Sequence, residues 1–182
     1  VRSENRCRTN VYSPPLFRGC DKGTGSYRLG NNMNINKDYI ELNRNAWNNK
    51  VESHVNSDFY NMKGFLSGET SLNSIELEML GNLKGKSVLH LQCHFGQDTL
   101  SLARMGAEVT GVDLSDVEIE KAKQLNQDLG LDAKFICCDI YDLHNHLDEK
   151  FDIVFTTYGT IGWCMDLDMW ASLISSYLRP NG

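Results

Sequence analysis

An α/β fold, a parallel sheet flanked by helices, is the class that residues 87–182 predict, and three observations predict it. Short apolar runs of strand length alternate with segments of helical periodicity. The helical segments begin at capping residues and stop at glycines or turns. The loop after the first run, Gln92 to Asp98, and the acid closing the second run, Asp113, stand where parallel sheets of this kind hold ligands.

Along the chain, residues 1–32 carry Pro14 and Pro15, no periodic apolar pattern and no Met. They read as a disordered arm, a tag or upstream read-through ahead of a start at Met33. Residues 33–86 form an N-terminal helical segment. Tyr39, Ile40, Leu42, Ala46, Trp47, Val51 and Val55 recur at helical intervals, predicting one amphipathic helix from Asp38 to about Val55. Residues 56–70 read as an ordered loop, and Ser74 to Leu80 as a short helix stopped by Gly81. Strand Ser87 to Leu91 follows, then a helix from Asp98 to Met105 and strand Glu108 to Asp113. Ser115 or Asp116 caps a helix that reaches Leu129 before Gly130. Strands Ala133 to Cys138 and Phe151 to Thr156 come next, then a helix from Met165 or Asp166 to Leu178. An apolar outer strand such as Phe151 to Thr156 would leave an aggregation-prone edge, so C-terminal strands are expected to be missing beyond Gly182.

Bulk properties exclude several classes. The 182 residues have globular composition and no apolar run of transmembrane length, so a membrane role is not expected. Residues 1–32 carry +4, leaving −10 on the remainder, which disfavours nucleic acid as a partner. Cys93, Cys137 and Cys138 close apolar runs, as small buried hydrophobes do. A reduced, cytoplasmic protein is expected. Cys93-His94 and His144-Asn145-His146 match no zinc spacing, so no metal is expected.

The loop Gln92-Cys93-His94-Phe95-Gly96-Gln97-Asp98 has one glycine where dinucleotide enzymes use three to approach a pyrophosphate. Asp98 would cap the following helix with its own negative charge, which a second anion would oppose. Asp113, 21 residues past Gln92, is placed to accept hydrogen bonds from ribose hydroxyls, although by itself it also reads as a turn residue before Ser115. The ligand favoured is a nucleoside without phosphates.

The runs Ser87-Val88-Leu89-His90-Leu91-Gln92-Cys93-His94-Phe95-Gly96, Val109-Thr110-Gly111-Val112-Asp113-Leu114-Ser115, Cys138-Asp139-Ile140, Phe151-Asp152-Ile153-Val154-Phe155 and Leu178-Arg179-Pro180-Asn181-Gly182 resemble, in order, the motifs of class I S-adenosylmethionine-dependent methyltransferases. The resemblance covers residues 87–182. In the usual first motif an acid and three glycines stand where this chain has His90, Gln92, His94 and Gly96; Gln-Cys-His-Phe-Gly resembles a variant of it. The resemblance implies a Rossmann-like fold with a helical lid and S-adenosylmethionine as cofactor. It implies that Gln92, His94 and Gly96 line the methionine portion, Asp113 holds the ribose, Leu114 packs on adenine, and Asp139 with Ile140 meets the adenine edge. Thr156, Thr157 and Tyr158 would face the sulfonium and the acceptor.

Each has a plainer reading: Leu114 and Ile140 are apolar enough for core, and Asp139 suits a turn. Asp152 precedes its strand and is read as structural. Methyl transfer from a sulfonium needs alignment more than a base; where the acceptor carries a proton, His94 or Tyr158 could remove it. Trp163, and Trp47 unless it is plain core, are candidates to contact a small-molecule acceptor or the cofactor. The alternatives are a non-catalytic module that binds a nucleoside or a partner through the same fold, and a nicotinamide-dependent oxidoreductase.

Overall fold

The computed structural model describes residues 32–182, with side chains from Asp38 onward. The readings of residues 1–31 as arm, tag or read-through lie outside the described residues. Helices α1 (Asn32–Asn48), α2 (Val51–Val55), α3 (Met62–Leu66) and α4 (Ser74–Leu80) precede strand β1 (Ser87–Leu91). Helix α5 (Gln97–Arg104), β2 (Glu108–Asp113), α6 (Asp116–Asp128), β3 (Lys134–Cys137), β4 (Ile153–Phe155) and α7 (Leu167–Tyr177) follow.

The four strands form one parallel sheet in the order β3-β2-β1-β4. The chain runs outward from β1 through β2 to β3, then returns to the far side of β1. Crossovers therefore diverge at β1, which opens a crevice at the carboxyl ends of the strands.

Alternation along β1 builds the two faces of the core. Leu89 and Leu91 pack with Val112, Leu143, Phe151 and Tyr177 on the α7 side. On the other face Val88 joins Leu72, Leu83, Leu102 and Val109, and beside them Phe65, Phe95, Leu100 and Leu125 tie α3, α5 and α6 together. Burying a Leu or Phe completely contributes about 1.5–3 kcal/mol, so the eight-residue α5 is held chiefly by Leu100 and Leu102, both fully buried. Ser115 caps α6 by accepting from the Glu118 N–H, and Asp166 caps α7 by accepting from Met169.

Three expectations change. The helix from Asp38 to Val55 is two helices, broken by a turn at Asn49 and Lys50, where the weak helix formers Asn45, Asn48 and Asn49 accumulate. Its inward stripe is the half-buried Tyr39, Ile40, Asn43 and Trp47; Leu42 is 69% exposed. The stretch 56–70 is not loop alone but a 3₁₀ turn, Asp58–Tyr60, and α3, whose cap Asn61 adopts left-handed backbone (φ 41°) and accepts from Gly64. Asp98 does not cap α5: the cap position is Gly96, and Asp98 lies in the first turn. Asp152 fits its structural reading, accepting from the Ser87 N–H at 2.8 Å and pairing with Arg179 at 2.8 Å.

Candidate functional site

The loop leaving β1 carries the most unusual backbone of the sheet. Gln92 (φ 55°), His94 (φ 55°) and Gly96 (φ 78°) are all left-handed. A non-glycine residue there costs about 1–2 kcal/mol. Two contacts offset that strain. The His94 N–H donates to Asp113 Oδ2 at 2.8 Å, and the Cys93 N–H to the Val112 carbonyl at 2.9 Å. Asp113 Oδ1 accepts from the Ser115 N–H at 2.9 Å, so a single carboxylate pins the loops after β1 and β2 together. Burial raises its pKa, while N–H groups of Ser115, His94 and Leu114 act in the opposite direction.

Gly96 serves packing. A Cβ there would come within 2.8 Å of the Ala122 Cβ and 2.9 Å of the Phe135 ring, so the loop lies directly against α6 and β3.

Above the strand ends opens a cleft of about 870 Å³. Gln92, Cys93, His94, Asp113, Leu114, Asp139 and Ile140 form its floor. Tyr39, Ile40 and Trp47 of α1, with Tyr60 and Phe65, form one wall; Thr157, Tyr158, Thr160, Trp163, Met165 and Met169 form the other. Of the residues singled out in the sequence, Gly96 and Thr156 are not in the lining. Thr156 hydrogen-bonds to the Thr160 hydroxyl at 2.9 Å. Gln92 Nε2 donates to the Thr160 carbonyl at 3.2 Å, leaving Gln92 Oε1 buried without a partner.

Asp139 Oδ1 accepts from the Tyr141 N–H at 3.1 Å, the turn role open to it, and still lines the cleft. Tyr158 is 71% exposed, and its hydroxyl accepts from Asn73 Nδ2 at 3.4 Å. Trp47 lines the cleft rather than the core, edge-on to Trp163 with centroids 5.2 Å apart. The cation over Trp47 is Lys50, 4.8 Å from the ring centroid.

Sequence patterns did not reveal what holds the cleft walls in place. Arg44 donates to the Leu114 carbonyl at 3.3 Å, and Asn48 bonds both Asp116 (2.9 Å) and Ser115 (2.6 Å), docking α1 on the loop after β2. Gln97 donates to the Tyr60 carbonyl at 2.6 Å. Polar residues on a helix carry no period that names their partner.

His94 sits among polar and aromatic neighbours. Its Nε2 lies 3.0 Å from His54 Nδ1 and 3.2 Å from Glu118 Oε1, and Tyr60 stacks on its ring at 5.3 Å. Burial and the neighbouring His54 lower its pKa to about 3, which favours the neutral imidazole. Glu118, 1% exposed, is pushed up to about 9 by burial and by Asp113. His90 is buried against the Thr99 hydroxyl at 2.8 Å, and burial lowers its pKa to about 3.

Residues 88–182 match the family model described as "Methyltransferase domain". The ubiquinone biosynthesis O-methyltransferase of Coxiella burnetii (strain RSA 493 / Nine Mile phase I) is 33% identical over 105 residues, covering 56% of this chain and 44% of that protein. Its counterpart from Proteus mirabilis (strain HI4320) is 29% identical over 109 residues, covering 58% and 44%. The chain thus spans about half the length of the curated relatives it matches. Among solved structures, the DhpI–SAH complex superposes with a TM-score of 0.57 at 22% identity, over 79% of this chain and 66% of that one, a likeness of fold alone. A structure concerned with conversion of a disulfide bond into a thioacetal group during echinomycin biosynthesis gives a TM-score of 0.51 at 34% identity, over 58% and 45%.

Proposed function

The chain belongs to the methyltransferase-domain family, and from that premise we propose that it binds S-adenosylmethionine at the carboxyl ends of β1 and β2 and methylates a small-molecule acceptor. One observation carries the reading: a left-handed loop after β1, fastened to the carboxylate that ends β2. Such a loop brings backbone close to a ligand, and the acid beside it suits a ribose.

The residues present suit this cofactor. Gln92 Oε1, buried without a partner, is an acceptor for the ammonium of the methionine portion. Asp113 retains lone pairs for ribose hydroxyls beyond the two N–H groups it accepts. Leu114 and Ile140 offer apolar faces to adenine, and Asp139 a carboxylate for its amino edge.

The bound cofactor supplies a methyl group already activated on a sulfonium, so the chain's part is alignment and exclusion of water. Trp47 and Tyr60 close one side of the cleft. Thr157, Tyr158 and Trp163 face the acceptor from the other, where Met165 and Met169 add apolar surface. Tyr158 orients the acceptor through its hydroxyl, and proton removal is not assigned to His94. No helix among the described residues is long and apolar enough to cross a membrane. A reduced cytoplasmic setting suits Cys93 and Cys138, which are buried thiols.

Calorimetric titration with S-adenosylmethionine, S-adenosylhomocysteine and NAD tests the binding, and isotopic methyl transfer to candidate small molecules tests the chemistry. Binding of the first two, lost in Asp113→Ala, supports the proposal. Preference for NAD would overturn it, and binding without transfer to any acceptor would leave a nucleoside-binding module.

A further inference from the structure

Behind the floor of the cleft, three side chains from distant parts of the chain converge: His54 of α2, His94 of the loop after β1, and Glu118 of α6. We propose that His54 Nδ1, His94 Nε2 and Glu118 Oε1 form a site for a divalent transition cation of the zinc class, which clamps the N-terminal helices onto the sheet.

Hydrogen bonding among the three groups does not account for their arrangement. His94 Nε2 has one in-plane position, which either donates or accepts a single good hydrogen bond. Two polar atoms crowd it, His54 Nδ1 at 3.0 Å and Glu118 Oε1 at 3.2 Å. The carboxylate is close enough to pair yet badly directed, and both its oxygens are buried without a hydrogen-bond partner. A buried carboxyl group, charged or neutral, normally finds a hydrogen-bond partner, a cation or a metal. Lys50, the nearby ammonium, does not meet this need: it lies over the Trp47 ring and makes no ion pair with Glu118 among the described residues.

Ligand chemistry and spacing both point to a cation. Two imidazoles and one carboxylate are a zinc ligand set, and ligand distances of 2.0–2.1 Å in tetrahedral geometry put neighbouring donor atoms about 3.3 Å apart. The separations of 3.0 and 3.2 Å approach that edge, and all three donor atoms lie within 4.8 Å of one another. Burial of Glu118 supplies a dry anchor, while the half-buried His54 and His94 give an entry path. No linear motif marks the site, because 40 residues separate His54 from His94 and a further 24 precede Glu118.

The experiment uses the whole chain, stripped by chelation and titrated with Co(II) as a spectroscopic probe, followed by Zn(II). The expected result is one equivalent of Co(II) with visible bands of low coordination number, displaced by Zn(II), and a higher melting temperature. Glu118→Gln, which preserves shape, and His54→Asn should each weaken uptake by more than the roughly 10–100-fold that loss of a group merely supporting a ligand costs. His144→Ala/His146→Ala, which removes the exposed His146–Asp142 pair, should leave uptake intact. No uptake at micromolar free metal, a sulfur-to-cobalt charge-transfer band, or equal uptake by Glu118→Gln and His54→Asn would each overturn the site. The readout does not involve S-adenosylmethionine, so it fails or succeeds independently of the proposed activity.

Discussion

Alanine at three glycines separates the two physical demands that the loop after β1 places on its backbone. Gly130, just past the end of α6, is left-handed (φ 62°) with nothing within 4 Å of an added Cβ, so Gly130→Ala meets backbone strain alone. Gly111 in β2 has no left-handed φ, but its Cβ would lie 3.0 Å from Cys93 Sγ and from the Phe135 ring, so Gly111→Ala meets crowding alone. Gly96 combines φ 78° with contacts of 2.8 Å to the Ala122 Cβ and 2.9 Å to Phe135. Left-handed strain costs about 1–2 kcal/mol and overpacking about 1–3 kcal/mol. The expected losses are therefore about 1–2 kcal/mol for Gly130→Ala, about 1–3 for Gly111→Ala and about 2–5 for Gly96→Ala. The last is a large share of the roughly 5–15 kcal/mol that holds a domain folded. Urea unfolding followed by circular dichroism at neutral pH measures all three. If Gly96→Ala loses no more than Gly130→Ala, helix α6 yields to the new methyl, and the claim that the loop is wedged against Ala122 and Phe135 is wrong.

Asp113→Asn should weaken S-adenosylmethionine binding at least about tenfold, because an amide oxygen replaces a charged acceptor shared by the His94 and Ser115 N–H groups; calorimetry reads it, and unchanged affinity would remove Asp113 from the site. His90 has a folded pKa of about 3 against 6.5 when unfolded, so the unfolded chain takes up the proton first. Stability from this residue is complete above about pH 6.5 and falls by roughly 1.4 kcal/mol per unit as pH drops towards 3; His90→Leu should flatten the pH dependence of the urea midpoint by that amount. Asp152 is held at about 2 by the Ser87 N–H and Arg179, against 3.8 unfolded. Its contribution is complete above pH 3.8 and is lost as pH falls through 2, so Asp152→Asn should unfold more readily than the native chain at pH 5 and converge on it near pH 2.

The sheet was legible because apolar runs with period two and caps such as Ser115 act locally. β1, β2 and α4 fall where the pattern puts them, and β3 and β4 are shorter only at their ends, where pairing with a neighbour decides the boundary. The N-terminal helices were less legible. Leu42 and Ala46 fit the apolar period yet face outward, because α1 docks through Arg44 and Asn48, whose partners Leu114, Ser115 and Asp116 lie 67 to 70 residues away. Hydrophobicity counted along one helix cannot register such polar anchors. The floor residues Gln92, His94, Asp113, Leu114, Asp139 and Ile140 were readable from the motif order. Gly96 was readable only as a member of the loop, since its close neighbours Ala122 and Phe135 come from other elements.

Non-glycine residues at left-handed positions of the loop have a physical consequence for the site. At residues 92 and 94 the backbone keeps left-handed values that glycine adopts freely, so the chain accepts strain twice. Gln92 gives a side chain that reaches the Thr160 carbonyl and leaves Oε1 buried without a partner; His94 gives a ring held between Tyr60, His54 and Glu118. Each strained residue thereby links the sheet to an element outside it, Gln92 to the wall after β4 and His94 to α2 and α6. Glycine at either position would relax the backbone and cut that link. The loop should then hold its ligand less firmly even where the isolated turn becomes more comfortable, because order in the walls depends on side chains that glycine does not have.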